Sequence, residues 1–162
     1  MVKPRVPTAA ERAEVATLAL TRIASGEPFD ETSRWLQSFS SCEFPFPGDV
    51  FVEIAAEALV VAGVTRANPV SLADAYERHL PERPISGNAA HQKSRAALLA
   101  AVALHAGVVP DYGEIAGWWR IAGFDAWAFQ ACVALVRVAA ERTSQPVASV
   151  CADLAAGRDL QV

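Results

Sequence analysis

The 162-residue chain carries 14 Lys and Arg against 18 Asp and Glu, and its net charge of −4 gives it no broad attraction for a phosphate backbone. Apolar residues make up 52% of the chain and charged residues 20%. Much of the apolar excess is alanine, the strongest helix former. The length suits one domain, and the composition predicts helices with wide apolar faces.

Hydrophobic periodicity predicts an all-α protein with about eight helices and no strand. The predicted helices span residues 8–25, 30–40, 49–62, 71–80, 88–106, 111–122, 125–142 and 146–156. We interpret them as a single-domain bundle over residues 1–162, in which residues 1–7 form a flexible tail. The proline-rich segment 81–87 is the best candidate hinge, and it could divide the bundle into two four-helix halves.

Capping residues mark several of the predicted helix starts. Three starts place a capping side chain three residues before a carboxylate, namely Thr8 with Glu11, Ser71 with Asp74, and Asp111 with Glu114. Pro69 is expected just outside its helix, where no helical N–H is lost. At a tight corner, Gly123 would end one helix and Asp125 would cap the next.

An acidic stripe runs along the predicted helix 49–62. Asp49, Glu53 and Glu57 recur every four residues, so their carboxylates share one face. They could in principle ligate a metal, but a helical di-metal site also needs a Glu-x-x-His pattern on partner helices, which the sequence lacks. We therefore expect a solvated stripe, no metal and no other cofactor.

Cysteine usage and the longest apolar run bear on the compartment. Cys42, Cys132 and Cys151 form no CxxC pair, which is typical of reduced thiols in a cytoplasmic protein. Cys132 is expected to pack in the core. The apolar run 96–109 is shorter than the roughly 17–25 residues that span a bilayer, so we expect no membrane segment.

The start of the predicted helix 88–106 is the most informative anomaly. Its candidate ligand-binding residues are Asn88, His91, Lys93 and Arg95. Cations near a helix N-terminus oppose the macrodipole, and a bound anion would relieve this misfit. In the other interpretation Lys93 and Arg95 face water or acids of the preceding segment such as Glu77 and Glu82.

Tryptophans form the second candidate site. Trp118, Trp119 and Trp127 are expected to cluster around the corner at Gly123. Flat amphipathic rings can line a small-molecule pocket, although core packing is the ordinary role of aromatic residues at helical spacing.

The sequence contains no phosphate-binding loop, GxSxG elbow, HExxH motif or zinc spacing. It therefore favours a non-catalytic helical binding or interaction module that self-associates, with an anionic small molecule or a partner protein as further possible partners. One alternative is a nucleic-acid-binding regulator that uses the start of helix 88–106, which the acidic net charge disfavours. The other is a small enzyme for an anionic or aromatic metabolite, with His91, His105, Arg120 or Asp125 in its site.

Overall fold

The computed structural model describes residues 7–27, 29–37, 47–80, 88–108 and 124–162. This part of the chain contains seven α-helices and no strand, which confirms the all-α prediction. The helices are α1 Ala9–Ser25, α2 Phe29–Gln37, α3 Gly48–Val61, α4 Pro69–Tyr76, α5 Asn88–His105, α6 Phe124–Thr143 and α7 Val147–Gly157, and a 3₁₀ turn, Glu77–His79, follows α4. The predicted helix 111–122 lies outside the described residues.

The first helix begins and ends as its sequence predicts. The Glu11 N–H donates to the Thr8 hydroxyl oxygen over 3.1 Å, and the Thr8 N–H donates to the Glu11 carboxylate over the same distance. This reciprocal pair satisfies two N–H groups that the helix itself cannot. At the other end Gly26 takes a left-handed conformation with φ of 67°, which a residue without a side chain adopts at no steric cost.

The start of α4 differs from the prediction. The Asn68 side-chain oxygen accepts from the N–H groups of Val70 at 3.0 Å and Ser71 at 3.3 Å, and Pro69 is the first helical residue. The predicted cap at Ser71 is therefore wrong, as is the placement of Pro69 outside the helix. Proline is well suited to the first position because its missing N–H would have no helical partner there.

Helix α3 lies at the centre of the bundle and packs most extensively against α6 and α5. One buried core draws on helices before and after segment 81–87, including Leu20, Ile54, Leu98, Leu135 and Val150, all fully buried. Burying each such side chain contributes about 1.5–3 kcal/mol. Cys132 is also fully buried in α6, as predicted, and burial raises the pKa of its thiol.

The acidic stripe is not a freely solvated face. Arg12 of α1 donates to Asp49 at 3.0 Å and to Glu53 at 2.6 Å. From the end of α7, Arg158 donates to both Glu57 oxygens at 2.8 Å and to Glu53 at 3.2 Å. The expectation of a solvated stripe is therefore corrected, because two helices that flank α3 each supply an arginine to it.

Candidate functional site

The predicted anion site at the start of α5 is partly engaged in contacts between helices. Arg95 donates to Glu77 at 2.9 Å and to Asp74 at 2.6 Å, so it joins α5 to α4 and to the turn after it. Lys93 is half-buried, whereas the side chains of Asn88 and His91 lie outside the described part. Arg95 therefore binds acids of the preceding segment. One of them, Glu77, is among the two acids that the second interpretation of the sequence names.

The described residues contain an aromatic cluster that differs from the predicted tryptophan site. Trp35 lies 6.0 Å from Phe51 and 6.0 Å from Phe129, and Phe51 lies 5.4 Å from Phe129, measured between ring centroids. Trp127 is 8% exposed in the core, while Trp118 and Trp119 lie outside the described residues. The three clustered rings come from α2, α3 and α6, so periodicity within one helix could not have grouped them.

Asp125 caps a helix other than its own. Its carboxylate accepts from the Gly48 N–H at 3.0 Å, at the start of α3, where Pro47 offers no side-chain acceptor. The predicted role as cap of its own helix is wrong, because α6 already begins at Phe124. Burial raises the pKa of Asp125 to about 7, and the hydrogen bond from Gly48 opposes that rise only in part.

His105 and Asp125 lie too far apart to act in one catalytic site. His105 contacts the Val64 carbonyl oxygen at 3.0 Å, just beyond the C-terminal end of α3. Asp125 contacts Gly48, the first residue of α3. Since α3 has 14 residues, these ends are about 20 Å apart. Of the four residues named for the enzyme alternative, the structure describes the side chains of His105 and Asp125. Arg120 and the His91 side chain lie outside the described residues.

A groove runs between the C-terminal ends of α3 and α5. It has a volume of about 230 Å³ and is lined by Glu53, Ala56, Glu57, Val60, Arg66, Leu104 and His105. His105 is 5% exposed, and its Nε2–H donates to the Val64 carbonyl. The second ring nitrogen, Nδ1, is buried and has no hydrogen-bond partner among the described residues. We call this feature the α3–α5 groove.

A second concavity, which we call the Arg22 cavity, lies between α1, α2, α6 and α7. Its volume is about 270 Å³. The lining residues are Arg22, Ile23, Ala24, Ser25, Gly26, Glu27, Thr32, Phe129, Val133, Arg137 and Val147. The lining therefore combines charged and polar groups with apolar side chains.

The polar part of the Arg22 cavity is held by a short network. Arg22 Nη1 donates to the Glu27 carboxylate, at 2.6 Å to Oε1, and the Thr32 hydroxyl donates to Glu27 Oε2 at 2.7 Å. The Thr32 hydroxyl and the Arg22 guanidinium together hold the pKa of Glu27 below its ordinary value. The Arg22 guanidinium carbon also lies 4.7 Å from the centre of the Trp35 ring, at cation–π distance. The guanidinium is thus fixed from two directions.

One buried donor of this network, Arg22 Nε, has no acceptor among the described residues. A buried donor without a partner costs about 1–3 kcal/mol, and more when it is charged. Arg137, on the rim of the same cavity, is exposed and forms no ion pair within the described part. The cavity is therefore lined by one guanidinium that binds Glu27 and by a second, Arg137, that binds no described carboxylate.

Sequence reasoning missed the Arg22 cavity. Its polar residues come from the end of α1, the loop after it, α2 and the middle of α6, so they share no period and no motif. The only local signal is the pairing of Arg22 with Glu27 across the glycine that ends α1.

The described residues contain no group of three or more His, Cys, Asp or Glu that could hold a metal ion. None of the helices described is both long and apolar enough to cross a membrane. No protein-family model, curated protein or solved structure matches the chain.

Proposed function

We propose that this protein is a non-catalytic helical interaction module that pairs with a second copy of itself through the surface around the α3–α5 groove. That surface, which we call the valine face, consists of Val60, Leu104, Val108 and Arg66. The observation that carries the proposal is the pair of exposed valines beside an unpaired arginine.

The apolar part of the valine face is unusually exposed. Val60 is 65% exposed and Val108 54% exposed, and Leu104, which lines the groove together with Val60, is half-buried. Val108 follows Gly107, and Arg66 Nη1 lies 3.8 Å from the position that a Cβ atom on Gly107 would take. Single exposed valines are common on monomers, but several beside one groove favour a contact surface.

Charges around the groove support pairing of like copies. Arg66 forms no ion pair with a described residue. The three carboxylates of the acidic stripe, two of which line the same groove as Arg66, meet only two arginines among the described residues, which leaves one excess negative charge. In a two-fold dimer a residue of one copy meets a different residue of the other, so each Arg66 can approach the partner's carboxylates.

The arginines that form ion pairs support a non-catalytic role. Arg12, Arg22, Arg95 and Arg158 all bind carboxylates, and all but Arg22 do so between different helical elements. Such pairs position helices, whereas acid–base catalysis requires groups that reach a substrate. The proposal also places the protein in a reducing compartment such as the cytoplasm, supported by the free, buried thiols of Cys132 and Cys151.

Sedimentation velocity of the full chain over a range of concentrations tests the pairing. We expect the wild-type chain to form a dimer. Each of the variants Val60→Glu, Val108→Glu and Arg66→Glu should weaken that dimer. Val70→Glu is the matched control, because Val70 lies on α4 and is 54% exposed, as is Val108. A wild-type protein that stays monomeric at every concentration, or a Val70→Glu variant that dissociates as readily as the others, contradicts the proposal.

A further inference from the structure

We propose that the Arg22 cavity binds a small organic monocarboxylate whose body is an aryl or branched alkyl group. This site lies away from the valine face and does not depend on the pairing of two copies. The Arg22 guanidinium, the net charge of the lining residues and the apolar side chains beside them all favour such a ligand.

The Arg22 guanidinium keeps a donor group that Glu27 does not use. Glu27 accepts from Nη1 alone, and Nη2 donates to no described residue. A ligand carboxylate can accept a charge-assisted hydrogen bond from Nη2, whereas the buried Nε has no surface toward the cavity. Glu27 and the Trp35 ring already fix the plane of the group, so little freedom is lost when a ligand binds.

The charges that line the cavity favour a ligand with one negative charge. Two guanidiniums, Arg22 and Arg137, meet one carboxylate, Glu27, which leaves one excess positive charge. A monocarboxylate neutralises that excess. A phosphate dianion would instead add a second negative charge close to Glu27, and like charges at this range repel.

The apolar part of the lining selects an apolar body. It is formed by Ile23, Phe129, Val133 and Val147, with Ile23 and Phe129 largely buried. A volume of about 270 Å³ corresponds to roughly nine water molecules and suits a ligand of roughly ten non-hydrogen atoms. A carboxylate bound at Arg22 would place its apolar group against these side chains.

Isothermal titration calorimetry of the full chain tests the proposal with phenylacetate and 4-methylpentanoate as probes. We expect saturable binding of one molecule per chain. The neutral isostere phenylacetamide should bind about tenfold or more weakly, because it cannot form the charge-assisted pair. Inorganic phosphate should bind more weakly than either carboxylate.

Three variants localise the binding. Arg22→Lys keeps a positive charge for Glu27 but removes the Nη2 donor, and Arg137→Gln removes the second cation; each should weaken binding about tenfold. Val133→Phe fills the apolar part and should abolish binding. Arg34→Gln is the control, since Arg34 is exposed on α2, does not line the cavity and should leave the affinity unchanged.

The site is overturned if neither carboxylate binds, if phenylacetamide binds as well as phenylacetate, or if phosphate binds more tightly than both. It is also overturned if Arg34→Gln and Arg137→Gln weaken binding equally. Circular dichroism of each variant identifies loss of folding. Should Val133→Phe or Arg22→Lys fail to fold, the exposed pair Arg137 and Arg34 still decides the outcome. The dimer measurement is separate, so either proposal can fail alone.

Discussion

The Asp125 carboxylate on α6 accepts a hydrogen bond of 3.0 Å from the backbone N–H of Gly48, 77 residues earlier in the chain. Gly48 is the first residue of α3, and the preceding Pro47 supplies no side-chain acceptor. Asp125 therefore caps α3 from a neighbouring helix and joins the two helices that pack most extensively against each other. The charged form of Asp125 lowers the stability of the folded state, because burial favours the protonated acid.

Stability should fall as the pH rises through the range in which Asp125 titrates. Its pKa is about 7 in the folded protein, against 3.8 as the ordinary value expected after unfolding. Between these values the folded state holds a proton that the unfolded state has released, so the contribution of Asp125 is largest below about pH 4 and is lost by about pH 7. The difference is on the order of a few kcal/mol.

Asp125→Asn tests this dependence, because the amide oxygen can accept from Gly48 without carrying a charge. We expect the variant to have a higher melting temperature than the wild type at pH 8 and no such advantage at pH 4, measured by thermal unfolding. Asp153→Asn is the control, since Asp153 is exposed on α7. If the advantage of Asp125→Asn over the wild type does not change with pH, the role given to the charge is contradicted.

The cap of α4 gives a second prediction. Asn68 accepts from two N–H groups, whereas the hydroxyl of Ser71 is exposed within the first turn. Asn68→Ala should therefore lower the free energy of unfolding by about 1 kcal/mol, and Ser71→Ala should change it by a few tenths at most. Urea denaturation of the two variants compares them directly, and equal losses would contradict the observed start of α4.

Local signals predicted much of the fold but not the partners of individual side chains. The start of α1 follows from Thr8 and Glu11, which lie within a few residues of the backbone groups that they satisfy. The neighbouring sequence predicts that Asp125 caps its own helix, because local capping rules involve only residues close in the chain. Its actual partner is 77 residues away, and no local rule can identify such a contact.

The same limit applies to the candidate sites. Arg95 and Glu77 are separated by 18 residues, and their pairing was one of two interpretations that the sequence allowed. The Arg22 cavity needs four helices to meet, so its residues could not be grouped before the packing was known. The valine face likewise depends on the ends of α3 and α5 lying side by side.

His105 should exist as the tautomer that carries its proton on Nε2. The Val64 carbonyl oxygen, 3.0 Å away, can only accept, so Nε2 must donate, and in a neutral ring Nδ1 is then the nitrogen without a proton. Long-range ¹H–¹⁵N correlation spectra of the neutral ring should show a protonated Nε2 and an unprotonated Nδ1. The buried N–H should also exchange slowly with solvent. A proton on Nδ1 would contradict the contact with Val64.

The two arginines on the acidic stripe should act as partial substitutes for each other. Arg12 and Arg158 both bind Glu53, so either can support that carboxylate when the other is removed. Each of Arg12→Met and Arg158→Met should lower the free energy of unfolding by about 1 kcal/mol, since all the groups involved are partly exposed. Urea denaturation at low salt measures both.

The double variant should lose more than the sum of the single losses, by about 0.5 kcal/mol or more. With both arginines absent, Asp49, Glu53 and Glu57 repel one another at four-residue spacing along α3. Salt screens that repulsion, so the excess should shrink in about 1 M sodium chloride. Pairing Arg12→Met with Arg34→Met gives the control, because Arg34 binds no carboxylate among the described residues. Strict additivity in the first pair would mean that the two arginines act independently despite sharing Glu53.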